Sequence, residues 1–165
     1  MKNILYLLIL TIFAIISCSD STRTIDSVNV ETTDSVDVRI IDSVSIGKHK
    51  FEIIEKNNQA FLKNGELEEL LKLKPPCYFL RLDGNIQTYS YPDVKVDAVV
   101  IIVGNIISDE QKKFFGADLD KVCGMKKQGL LIKDVGPQLT EKMLSGGICC
   151  KDYGLDEKDF SYFAH

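Results

Sequence analysis

Hydrophobic and polar positions divide this chain into three stretches. Ile4 to Ile16 is apolar throughout, with Thr11 the only clearly polar residue. From Ser19 onward the pattern becomes sparse and rhythmic. Asp-Ser-Val recurs at 26–28, 34–36 and 42–44, at a constant spacing of eight. Each copy sets apolar residues two apart: Val28 and Val30, Val36 and Val38, Val44 and Ile46. That alternation fits a strand, but the unit is too short and too poor in turn residues for a solenoid. With few large apolar groups, residues 19 to about 40 read as a solvated spacer, and the last copy is placed to open the folded part.

From residue 47 the pattern is that of a folded domain. Phe51-Glu52-Ile53 and Ala60-Phe61-Leu62 flank Asn57-Asn58, which predicts a hairpin. Glu66 to Lys74 places Leu67, Leu70 and Leu71 on one helical face, closed by Pro75-Pro76, and predicts a helix. Cys77–Leu82 and Ile86–Tyr91 flank Asp83-Gly84-Asn85, the clearest hairpin signal in the chain. Ala98 to Val103 is an uninterrupted aliphatic run suited to a central strand covered on both faces. Ser108 to Gln111 forms a capping box before a short helix carrying Phe114 and Phe115. Gly129 to Val135 predicts a strand stopped by Gly136-Pro137, Gln138 to Ser145 fits helix or strand, and Ile148 to Lys151 predicts a strand after a Gly146-Gly147 turn. Asp156 to Phe163 predicts a terminal helix, with acids in its first turn favouring the dipole and Phe160, Tyr162 and Phe163 docking it. Hairpins and short helices without regular βαβ alternation predict an α+β fold: a mainly antiparallel sheet in a single small domain behind a flexible tether.

Charge sharpens the division. The chain of 165 residues carries a net −4, and residues 19–46 alone account for it, with six acids against Arg23 and Arg39. Residues 47–165 hold 17 basic and 18 acidic side chains and are nearly neutral. No basic field invites nucleic acid. Like charges favour an extended spacer. About 25 such residues span on the order of 80 Å when stretched and nearer 30 Å as a random coil.

The N-terminal run acquires meaning from its flanks. One cation, Lys2, precedes thirteen mainly apolar positions that end at Ile15-Ile16-Ser17-Cys18. The run is shorter than the roughly 20 residues that span a bilayer, and its layout is that of a secretory signal peptide. The ending resembles the lipobox of bacterial lipoproteins, with an aliphatic residue at −3, a small one at −1 and an obligatory cysteine. That resemblance covers residues 1–18 and implies a signal peptide at 1–17. It also implies a diacylglycerol thioether on Cys18, cleavage before Cys18 and acylation of the freed amine. It therefore implies membrane lipid as a partner. Two or three acyl chains hold a protein to a bilayer almost permanently, at ~0.8 kcal/mol per buried methylene. Ser19, not aspartate, follows Cys18, which by the sorting rule of enteric bacteria implies the outer membrane, facing the periplasm. Ser19-Asp20-Ser21 is a weak form of the acidic surface-export signals of the Bacteroidota. The chain then divides into a signal peptide at 1–17, a lipidated and acidic tether at 18–45 and a globular domain at 46–165. The ending from Gly154 to His165 resembles those of small uncharacterised bacterial envelope proteins and implies no activity.

Four further cysteines, Cys77, Cys123, Cys149 and Cys150, are an even number in an exported chain and predict disulfides. Bridging the adjacent pair to each other closes a strained ring, so each of Cys149 and Cys150 is expected to pair with Cys77 or Cys123. Neighbouring strand residues face opposite ways, which lets them reach different partners. Such bridges are worth about 3.5 kcal/mol from Cys123 and about 4.4 from Cys77. Other chemistry fails on spacing. No Cys-x-x-Cys precedes a helix, the two histidines His49 and His165 lie far apart, and Gly124 to Gly129 lacks the lysine and hydroxyl of a phosphate loop. Asp118 and Asp120 start like a calcium loop, but Val122 and Cys123 occupy its next positions. Tyr89, Tyr91 and Phe79 read as core packing before they read as a groove. No catalytic residue, cofactor or metal is expected. The sequence thus predicts a non-enzymatic interaction or accessory module with a protein partner in the envelope. The rivals are a thiol enzyme using Cys149 or Cys150 and a lipoprotein that neutralises a toxin.

Overall fold

The computed structural model describes residues 37–165. The apolar run, Cys18 and the first two Asp-Ser-Val copies lie outside the described residues. The third copy lies inside them, in the first strand. β1 (Arg39–Ile46), β2 (His49–Lys56), β3 (Gln59–Asn64) and β4 (Leu67–Leu70) form an antiparallel meander in that order. The folded chain thus begins before the expected boundary at 46. Ile41, Val44 and Ile46 pack against the core, which an isolated spacer has no means to offer.

The turns of this meander explain its register. Asn57 and Asn58 both take positive φ, 52° and 58°, as a two-residue type I′ turn demands. The β3–β4 turn corrects the helix expected over Glu66–Lys74. Gly65 takes φ 62° as the first residue of a two-residue loop, and β4 then pairs back on β3 from Asn64↔Leu67 to Phe61↔Leu70. The Asn-Gly start of a hairpin outweighs the leucine spacing, because cross-strand bonds form as soon as the turn closes. Of the supposed helical face only Leu71 is buried, and it lies beyond β4.

The second sheet is built on β9 (Val96–Ile106), the expected central strand. It pairs antiparallel with β10 (Cys123–Lys133) on one side, and with β5 (Tyr78–Phe79) and β8 (Thr88–Tyr91) on the other. β11 (Gly136–Cys150) forms the outer strand against β10. This hairpin settles the ambiguous segment as strand and moves Gly136-Pro137 from a stop to the start of β11. The Gly146-Gly147 pair is a bulge inside β11, where three residues face Met125 alone. The Asp83-Gly84 hairpin is present between β6 (Arg81–Leu82) and β7 (Asn85–Ile86), but its arms diverge so that β5 and β8 pair with β9.

Alternation along β9 fills two cores. Val100 and Ile102 meet Phe51, Ile53 and Leu62 of the meander, Phe79 of β5, and Leu130 and Ile132 of β10. Val99, Ile101 and Val103 face the other way, onto α2 (Glu157–Ala164), which presses Phe160 and Phe163 against them. The result is an α+β domain, mainly antiparallel, layered as sheet, sheet and helix. α1 (Asp109–Phe115) has the expected capping box from Ser108 and Gln111, yet Phe114 is 84% exposed. Among the described residues no helix is long and apolar enough to cross a membrane.

Candidate functional site

The four cysteines separate by sheet face. Cys123 and Cys150 oppose each other on β10 and β11 and form a disulfide. Cys149, one residue earlier, points into the helix-side core, while Cys77 lies in the core between the sheets. The expectation of two bridges is corrected to one. The alternation that frees Cys149 from Cys150 also puts a whole sheet between Cys149 and Cys77. Both remaining thiols are buried. Desolvation by burial pushes each up to about 12, Cys77 with help from Glu55 and Cys149 against the pull of Lys127. At neutral pH both are protonated, and neither is a thiolate nucleophile as placed.

Under α2, Cys149 shares its core face with a small polar group. Lys127, almost fully buried, reaches Asp159 of the helix at 3.7 Å. The Tyr78 hydroxyl donates to the Cys149 carbonyl at 2.6 Å. The Lys127–Asp159 pair ties β10 to α2, and the cluster anchors the helix. At the molecule's other polar points, His165 pairs with Asp93 on the surface, and His49 stacks on Phe51 beside a cavity lined also by Asp97 and Asp134. Among the described residues no three His, Cys, Asp or Glu are placed to hold a metal.

The two edges of the sheet pair are unequal, and this inequality makes the site. On one side β1 meets β5 and is stitched to it. Asp42 accepts from both guanidinium nitrogens of Arg81, at 2.7 and 2.8 Å, and from the Phe79 backbone N–H at 2.9 Å. Arg81 also donates to the Ser43 and Phe79 carbonyls. On the opposite side, among the described residues, β4 pairs only with β3 and β11 only with β10. Between these strands opens a cleft of about 240 Å³, with Phe51, Leu62, Leu130 and Leu139 as its floor. Its far end is closed where buried Gln128 accepts from the Lys72 N–H at 2.9 Å and donates to the Thr140 carbonyl at 3.0 Å.

Register decides what points into this cleft. Cross-strand partners share a face, and Leu62 is buried between the sheets. Its partner Glu69 therefore stands on the inner face, with Leu67 two residues before it. Leu67 is 76% exposed. Glu68, on the outer face, pairs with Lys56. Glu69 has no ion-pair partner among the described residues. Sequence reasoning missed this seam because it read Glu66–Lys74 as helix. The Asn64-Gly65 pair was the signal for β4 alone. Compared with protein-family models, with curated proteins and with solved structures, the chain matches none of them.

Proposed function

We propose that this chain is a lipid-anchored envelope lipoprotein whose domain serves as a non-enzymatic interaction module. The observation that carries the reading is the apolar run ending at Ser17-Cys18, where a lipobox requires its cysteine. In this reading the diacylglycerol on Cys18 holds the chain at the outer membrane, facing the periplasm. The acidic segment that follows Cys18 then serves as the tether. A disulfide suits an oxidising compartment outside the cytoplasm. The working surface is the open β4–β11 seam, where unpaired strand edges flank an apolar floor; such edges are rarely left bare without purpose.

A cleft of about 240 Å³ falls below the ~300–1,000 Å³ of sites that enclose drug-sized ligands. It matches the scale of one or two side chains, which favours a protein partner. The rival thiol enzyme has its two candidates in poor positions for chemistry, with Cys150 in the bridge and Cys149 held protonated. A toxin-neutralising role is one form of the same protein–protein reading, and co-purification of a toxin would distinguish it.

Cys18→Ser tests the anchor. The variant should accumulate as unprocessed precursor, and what is processed should leave the detergent phase. Unchanged processing and membrane fractionation would overturn the lipoprotein reading.

A further inference from the structure

We infer that the β4–β11 seam binds an extended segment of a partner protein by strand addition, with one lysine or arginine side chain of that segment lying in the cleft. The inference rests on the interaction-module reading and names its partner's chemistry.

The geometry supplies three components. Among the described residues the backbone of Leu67–Leu70 pairs with β3 alone, which leaves its other side to continue the sheet. The floor of Phe51, Leu62, Leu130 and Leu139 offers a trough for methylenes. Over that trough Glu69 projects from the inner face of the edge strand and pairs with no cation among the described residues. A long aliphatic stem ending in a positive charge satisfies all three, since such side chains bury their stems and keep their charges paired or wet. A purely apolar residue would leave Glu69 covered and unpaired, at a cost.

Charge excludes the nearer occupants. A second copy pairing β4 with β4 in antiparallel register, centred on Glu68 or on Glu69, would set that carboxylate against its own copy across the interface, like charges directly opposed. The chain's own Asp-Ser-Val segment is acidic and meets the same carboxylate. A cationic strand from another protein meets neither penalty.

The test uses the whole mature chain in detergent micelles, nitrogen-15 labelled, and the peptide acetyl-Val-Thr-Lys-Thr-Val-amide, which places lysine between two valines on one strand face. The peptide should shift the amides of Leu67–Leu70 and of Gly136, Gln138 and Leu139. Replacing its lysine with norleucine should weaken binding about three- to tenfold. Glu69→Gln should weaken the lysine peptide and leave the norleucine peptide as tight or tighter, whereas Glu66→Gln in the turn should change neither. A peptide N-methylated on its strand-pairing face should not bind. Any of three results overturns the inference: no shifts at millimolar peptide, shifts confined elsewhere, or equal effects of Glu69→Gln on both peptides. If Glu69→Gln only promotes self-association, the carboxylate is a guard against edge pairing and the inference falls. None of these outcomes bears on the anchor, which the Cys18→Ser fractionation tests separately.

Discussion

Replacing Asp42 with alanine should destabilise the domain by about 2–4 kcal/mol. The side chains of Asp42 and Arg81 are only 9% and 15% exposed, and they meet through two parallel hydrogen bonds. Removing the carboxylate leaves a guanidinium in a largely dry site and strips the Phe79 N–H of its acceptor. Breaking a fully buried pair from one side costs ~3–5 kcal/mol, and the residual exposure lowers that somewhat. For a domain of about this size, 2–4 kcal/mol is a fall in Tm of roughly 6–15 °C. The carboxyl's own titration gives an independent check. Burial pushes it up, but the bonds from Arg81 and the Phe79 N–H outweigh burial and hold it below its ordinary value. A depressed carboxylate contributes stability above its unfolded pKa, near 4, and loses it as pH falls through the folded value. Asp42→Asn should therefore flatten the acid limb of stability against pH. Urea unfolding of the whole chain, followed by circular dichroism, measures both effects. The decisive variant is the double replacement Asp42→Leu with Arg81→Met, which should be less destabilised than the sum of the single replacements, because no lone charge remains buried. Additive effects, or a single-site loss under about 0.5 kcal/mol, would refute the stitch between β1 and β5.

Three further outcomes follow from the packing. Denatured, unreduced protein should show two titratable thiols from the described domain, Cys77 and Cys149, and Cys123→Ser should cost about 3.5 kcal/mol for its span of 27 residues; four thiols, or none, would contradict the single bridge. Gly129→Ala places a methyl group 2.7 Å from the Phe163 ring, so α2 must shift and stability should drop by ~1–3 kcal/mol, read by thermal melts together with the near-ultraviolet signal. The His165 imidazole is raised by its hydrogen bonds to Asp93 first and to the Ser161 carbonyl second; its NMR titration midpoint should fall in Asp93→Asn, and its contribution to holding the end of α2 should be present in acid and fade as pH rises through that midpoint.

Much of this fold is legible where one signal dominates. Asn57-Asn58 and Asp83-Gly84 mark turns that only residues tolerant of positive φ make cheaply, and both turns form. Ala98–Val103 is apolar on both faces because a sheet covers one and a helix the other. Ser108 and Gln111 cap α1 as their spacing requires. Where two signals compete, the sequence is silent about which prevails. Leu67, Leu70 and Leu71 suit a helix, yet the Asn64-Gly65 turn places Leu67 and Leu70 at an exposed edge. Asp42 looks like one more acid of a solvated spacer, and only its distant partner Arg81 makes it internal. Likewise the pairing of cysteines depends on which sheet face each occupies. That becomes readable only once the register of β11, with its glycine bulge, is known. The seam is a product of tertiary arrangement, since no local pattern records which edges of two sheets stay apart.

The meander has a consequence for how the chain is born. Its four strands close through two-residue turns within residues 39–70, so they pair early and cheaply as synthesis proceeds from the N-terminus. The residues that cover their apolar face are Val100, Ile102, Leu130 and Ile132, and they arrive 30 to 60 residues later. For that interval Phe51, Ile53 and Leu62 form a half-built oily surface with no lid. Assembly is therefore most exposed to aggregation in the interval when one sheet has formed and the second half of the chain has yet to cover it.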